Sequence, residues 1–375
     1  MEKFNEITDY PKLIIGKKEL VVPIILGGMG VGVSMAGLAA AVANEGGAGT
    51  LPAVCLSGIW SQRLGFPVSA YDAVSAEIAL ARVLSPKGVI GINVMVAVLQ
   101  DYEDSIRAAV ASDIDYISIG AGLIKYLPVI KEAHQTPILV IVSSDRAAKI
   151  AIHRFKKNEW PEQGYYLAGL IVEGPKAGGH LGFEIDEIDK DEFQLEAILP
   201  KVIEIAKANG NIPVIAAGGI FTREDILYFL DLEVQGVQIA TRFLGAKGVG
   251  IPKAYTEAVL ATTEPGDIIV VLGSPCNMPF RVLKSSPMYQ SFLKGEHKIH
   301  CNMGYLLRKD DNEEYTKCFA KDDRDNFFCI CNGLSAAYGM KPTEEPIFTG
   351  GANTHRVRES FVKEIMDEYK GIAPS

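Results

Sequence analysis

Pro213-Val214-Ile215-Ala216-Ala217-Gly218-Gly219-Ile220, followed by Gly236-Val237-Gln238-Ile239-Ala240-Thr241-Arg242-Phe243, decides the architecture. Each stretch is a short apolar run that ends in small residues. Read outward from here, similar runs recur along the chain at Val21–Leu26, Ala48–Ala53, Gly88–Val94, Tyr116–Ile119, Pro137–Val142 and Tyr165–Val172. Helix-like segments separate them: Ser34–Asn44 with Ser34 as its cap, Tyr71–Val83, Val98–Ala111, Gly122–Ala133, Ser144–Phe155 capped by Ser144, Glu192–Ala208, and Arg223–Leu230 with Thr222 at its cap. Strand-then-helix units in series imply parallel strands, which need long crossovers. Eight of them predict a closed (β/α)8 TIM barrel. An open doubly wound sheet would carry its phosphate-binding glycines after the first strand. Here the clean pair, Gly218-Gly219, follows the seventh, and that favours the barrel.

The chain has 375 residues, 48% hydrophobic and 22% charged, the composition of an ordinary globular protein. A net charge of −9 and the lack of a basic stripe argue against a nucleic-acid surface. No run reaches the roughly 18 unbroken apolar residues of a membrane span. The start, Met1-Glu2-Lys3-Phe4, lacks the basic and apolar regions of a signal peptide, so a cytoplasmic protein is expected. Composition shifts after Gly273, with Pro275, Pro279 and Pro287 and a charged stretch from Lys309 to Asp325. We divide the chain into a barrel over residues 1–274 and an appended extension over 275–375 that covers or flanks it.

Strand ends seven and eight of such a barrel often form a phosphate site from backbone N–H groups. Gly218, Gly219 and Thr241 stand there; ordinary turns are the plainer explanation. Gly27-Gly28-Met29-Gly30-Val31-Gly32 after the first strand lets a planar ring approach the backbone, or simply packs a helix on a strand. Asn93 ends the third strand with a polar side chain. After the sixth strand comes Glu173-Gly174-Pro175-Lys176-Ala177-Gly178-Gly179-His180-Leu181-Gly182. A histidine on a glycine-rich strand end fits an active-site wall, because imidazole exchanges protons near neutral pH; a tight turn with His180 in solvent is the alternative.

Taken in order, these motifs with Pro23–Met29 and Gly91–Val94 resemble the nitronate monooxygenase family, formerly the 2-nitropropane dioxygenases, over roughly residues 20–285. The resemblance implies a TIM barrel with non-covalent FMN. Gly218, Gly219 and Thr241 would hold its phosphate; Gly28, Met29 and Asn93 would border its ring; Gly27, Glu173, Gly178, Gly179 and Ala240 complete the expected cofactor contacts. His180 matches the catalytic histidine. Lys176 stands where members often have Glu, and Ala240 where many have Gly. The flavin-dependent enoyl-acyl-carrier-protein reductases of type II share the motifs. The implied substrate is therefore a small molecule, a nitronate or an enoyl thioester. A homodimer is the candidate assembly, with neither nucleic acid nor membrane as partner.

Other classes remain. A flavin-binding module without catalysis would share the barrel but has no need of His180. Nucleotide-processing phosphate barrels use a catalytic cysteine loop, for which Cys276 is the one candidate, although it follows strand eight. Cys301, Cys318, Cys329 and Cys331, with His297 and His300 nearby, match no zinc or iron–sulfur spacing, and apolar packing accounts for them better than a metal.

Overall fold

The computed structural model describes residues 9–130, 135–297 and 304–373. Eight parallel strands close into a barrel: β1 Ile24–Leu26, β2 Ala48–Pro52, β3 Val89–Met95, β4 Tyr116–Gly120, β5 Thr136–Val142, β6 Tyr165–Glu173, β7 Val214–Ala217 and β8 Gly236–Ile239. The ring shuts where β8 pairs with β1, Val237 opposite Ile24 and Ile239 opposite Leu26. The fold is the TIM barrel expected from the sequence.

Alternation along the strands sorts the core. Ile25, Leu139, Ile171, Ile215 and Ala217 fill the barrel interior, while Ile24, Leu26, Leu170, Val172, Val214 and Ala216 join the larger core shared with the helices. A hairpin of Ile14–Ile15 and Lys18–Glu19 adds Leu13, Ile15 and Leu20 to the interior cluster. Leu13 abuts Gly236, and Gly16 abuts Pro137, both at the starts of strands. This plug shuts the N-terminal end of the barrel, so the opposite rim is the open one.

Helices follow the strands: α1 Ala36–Asn44, α2 Leu56–Leu64, α3 Ala70–Leu84, α4 Leu99–Ala111, α5 Asp145–Lys157, α6 Leu195–Ala208, α7 Arg223–Asp231 and α8 Lys253–Leu260. Ser144 and Thr222 cap α5 and α7 as expected, Thr222 within a capping box completed by Asp225. Three local expectations fail. Helix α2 was not anticipated. The segment Gly122–Ile130 is irregular rather than helical; the rest of that expected helix lies outside the described residues. Pro128 would collide with the carbonyl of Ile124 in a helix, and donors from flanking elements take the carbonyls instead: Arg154 those of Leu123 and Ile124, Tyr102 that of Tyr126, Tyr165 that of Pro128. Nor is Ser34 the cap of α1. Its hydroxyl accepts from the Met29 amide at 2.8 Å and so braces the first glycine loop.

The α1 terminus is held by Glu77, a fully buried carboxylate on α3. It accepts from Ala36 N at 2.7 Å, Trp60 Nε1 at 2.9 Å and Arg63 at 3.2 Å. A negative charge suits a helix N-terminus.

Beyond α8, β9 Ile268–Val271 and β10 Phe280–Leu283 form an antiparallel pair, and Gly179–His180 joins the free edge of β10. Helices α9 Pro287–Leu293, α10 Phe319–Asp322, α11 Ile330–Tyr338 and α12 Val362–Lys370 follow. Helix α12 returns to the main core through Val362, Ile365, Met366 and Tyr369. Among the described residues no helix is long and apolar enough to cross a membrane.

Replacing Glu77 by Ala leaves three donors without their acceptor. We expect a loss of about 3 kcal/mol of stability in urea unfolding; a loss below about 1 kcal/mol would contradict the capping role.

Candidate active site

The loops at the C-terminal ends of the strands surround a cavity of about 390 Å³, within the usual size range of ligand sites. All twelve residues singled out from the sequence line it: Gly27, Gly28 and Met29 after β1, Asn93 in β3, Glu173 at the end of β6, Gly178, Gly179 and His180 beyond it, Gly218 and Gly219 after β7, and Ala240 and Thr241 after β8. Asn93 donates to Ser118 Oγ at 3.1 Å, and a Cβ on Gly28 would come within 2.4 Å of the Asn93 Cβ. Glycine is what lets these two strand ends meet.

One side of the cavity collects backbone donors. Among the described residues, the amides of Gly178, Gly218, Gly219, Ile220 and Thr241 donate to no protein acceptor, and all five residues line the cavity. Gly218 and Gly219 have φ of +93° and +86°, the left-handed region that turns successive amides toward one point. Convergent amides that face a cavity and have no protein acceptor are available to an anion, so such a cluster is a fitting seat for a phosphate.

On another wall stands His180. Its Nε2 lies 2.8 Å from Ser274 Oγ, and its ring tilts against Phe280 with centroids 4.9 Å apart. Ser274 is fully buried in the turn between β9 and β10, and its hydroxyl also lies 3.0 Å from Cys276 Sγ. Burial tends to raise the Cys276 thiol, but hydrogen bonding with His180 and Ser274 and the imidazole's charge outweigh it, so the thiol sits below its ordinary range. Its position after strand eight thus does not keep it from the site: the β9–β10 turn carries it back over the rim.

Among the described residues, Glu173 is the carboxyl group that lines the cavity. Burial pushes it up to about 7. Behind the His180 loop, the buried guanidinium of Arg281 donates to the carbonyls of Ala177 at 2.9 Å and Pro175 at 2.7 Å. Burial pulls it below its ordinary range, partly countered by Asp189. The outer wall is apolar and comes largely from the extension: Met278, Phe280, Leu306, Ile330 and Leu334. No Lys or Arg lines the cavity among the described residues.

A family model described as nitronate monooxygenase matches residues 93–302, more than half of the chain. The chain belongs to the nitronate monooxygenase family. Membership in this family of oxidoreductases makes a flavin the implied cofactor class. Among curated relatives, a (3aS,4S,5R,7aS)-5-hydroxy-7a-methyl-1-oxo-octahydro-1H-indene-4-carboxyl-CoA dehydrogenase of Mycobacterium tuberculosis is 27% identical over 264 residues, 70% of this chain and 63% of that protein. A putative nitronate monooxygenase of Saccharomyces cerevisiae is 34% identical over 118 residues, 29% of each chain. The matches thus span less than two thirds of these relatives' own lengths. Among solved structures, FabK from Thermotoga maritima superposes with a TM-score of 0.61 at 22% identity, covering 93% of this chain and 92% of that one; at this identity the likeness is one of fold.

Sequence reasoning missed Ser274 and Arg281. Neither lies in a recognisable motif, and both reach the site only through strand pairing in the extension. Cys318, Cys329 and Cys331 gather with Ala320 and Phe327 in a small apolar cluster. Cys301 and His300 lie outside the described residues. Among the described residues no three potential metal ligands converge.

The Glu173 shift sets a pH signature. Between its ordinary value of 4.5 and about 7, the folded protein keeps a proton that the unfolded chain has released, so stability falls as pH rises. The cost is absent below 4.5 and complete above 7. Flavin-free Glu173→Gln protein is therefore expected to exceed the parent by about 3 kcal/mol at pH 8. That advantage should shrink as pH drops and vanish near 4.5, as urea unfolding would read; a difference that ignores pH would refute it.

Proposed function

We propose that the protein is an FMN-dependent oxidoreductase that oxidises alkyl nitronates with oxygen to carbonyl compounds and nitrite. The observation that carries this reading is a single cavity with amides lacking acceptors on one side and a braced imidazole on another. In it, the amides of Gly178, Gly218, Gly219 and Thr241 hold the FMN phosphate, while Gly28, Met29 and Asn93 border the ring and Gly27, Glu173, Gly179 and Ala240 flank it. Bound FMN supplies the electron-accepting centre.

The chain's own part is binding, orientation and proton handling. Glycines at 27, 28, 178 and 179 let flat and anionic groups come close to the main chain. His180, fixed by Ser274 and Phe280, presents one orientation of imidazole to the nitro oxygens of the substrate. It donates a hydrogen bond or positive charge to an anionic nitronate, or takes the α-proton of a neutral nitroalkane. The apolar outer wall excludes water and receives the alkyl group. Residues 275–375 serve as the cover of the barrel formed by 1–274. The protein works in the cytoplasm on a small molecule, with a homodimer as its candidate assembly.

The same outer wall favours a second reading, reduction of an enoyl thioester by NADH. There the acyl chain lies along Leu306, Ile330 and Leu334, and His180 polarises the thioester carbonyl. The acyl-CoA named for the mycobacterial relative is consistent with that substrate class. Anaerobic addition of NADH and of propionate 3-nitronate in separate cuvettes tells the readings apart. Bleaching of the flavin by NADH alone favours the reductase. Nitrite release from nitronate once oxygen is admitted favours the monooxygenase. Bound flavin inert to both would leave a binding module.

His180→Asn is expected to keep its flavin and to lose turnover by about 10²–10⁴-fold, the scale of an acid–base group. Undiminished turnover in that variant would remove His180 from the mechanism.

A further inference from the structure

Taking the FMN reading above as its basis, we propose that the C-terminal extension is the frame of the phosphate cradle: Arg281, Gly351 and Asn353 are positioning residues that aim the barrel's donors at the phosphate. The glycine loops that would grip the anion are the most pliable parts of the chain, since glycine restricts its own backbone least. A cradle of that kind binds tightly only if something else holds it in shape.

Each loop is held from behind, and each time by the extension. The Ala177 carbonyl accepts from Arg281 Nε at 2.9 Å. A trans peptide points its C=O and N–H in opposite directions, so this bond turns the Gly178 amide away from Arg281. The Gly219 carbonyl accepts from Asn353 Nδ2 at 2.7 Å, which directs the Ile220 amide by the same rule. The amide of Gly351 donates to Thr241 Oγ1 at 3.0 Å. That contact occupies a lone pair of the hydroxyl and leaves its proton to be donated elsewhere. Ala352 N adds a tie to the Lys176 carbonyl at 3.0 Å. The contacts span from 104 residues of sequence, Ala177 to Arg281, to 176, Lys176 to Ala352.

Packing makes the arrangement specific. A Cβ on Gly351 would lie 2.6 Å from Thr241 Oγ1 and 3.0 Å from the Lys176 carbonyl, and one on Gly178 would lie 2.6 Å from the Gly350 carbonyl carbon. Two glycine loops, one from the barrel and one from the extension, are thus in direct backbone contact. Arg281 is 8% exposed, and Asp189 is the carboxylate whose charge acts on it.

Riboflavin shares the ring and ribityl chain of FMN but has no phosphate, which makes it the control. The flavin-free full-length protein is titrated with each by fluorescence, in the parent, Asn353→Ala and Gly351→Ala. Both variants are expected to weaken FMN by about tenfold to a hundredfold, the scale of lost hydrogen bonds to a charged group. Riboflavin affinity should stay within about twofold. Circular dichroism verifies folding; if Asn353→Ala does not fold, Asn353→Ser takes its place. Folded variants that keep the parent's preference for FMN overturn the proposal while leaving the FMN reading intact. A parent protein that binds neither flavin, or both equally, overturns the FMN reading itself.

Discussion

Backbone amides without partners are the constraint around which this molecule is arranged. A closed parallel barrel pairs every strand with two neighbours, yet all strands end at the same rim, and there the chain must turn. At most turns the amides find carbonyls or side chains, as the Phe221 and Thr222 amides do at Asp225. At Gly178, Gly218, Gly219, Ile220 and Thr241 they do not. These five line the cavity, with only Ile220 among them buried, so their donors stay open to whatever occupies it. Donors left open at the rim are what distinguish this end of the barrel.

The other end of the barrel shows the contrast. The N-terminal hairpin fills it with Leu13, Ile15 and Leu20, and the inner residues above them pack tightly. Apolar contacts decide that end; polar groups in search of partners decide the rim. The same division holds within the cavity itself, where donors and His180 occupy the inner walls and aliphatic and aromatic side chains of the extension form the outer one.

Much of this was legible in the sequence. The eight strands emerged from apolar runs spaced by helix-length segments, and the placement of Gly218-Gly219 after the seventh discriminated a barrel from an open sheet. All twelve residues drawn from the motifs line one cavity. Errors arose where tertiary contacts overrode local signals. Gly122–Ile130 has helix-compatible residues around Pro128, but Arg154, Tyr102 and Tyr165 claim its carbonyls. Ser34 has the chemistry of a cap, yet its hydroxyl serves Met29, and a glutamate 41 residues away from Ala36 takes its place.

Strand period, helix caps and glycine placement are near-neighbour properties, and for that reason the sequence alone determined the barrel, its rim loops and the histidine among them. Only the tertiary structure decided what stands behind those loops. Ser274 reaches His180 across 94 residues, and Arg281 meets Ala177 across 104, because β10 lies beside Gly179–His180. Such a pairing follows from how a whole extension folds over a rim, a global packing choice that no local run of residues encodes.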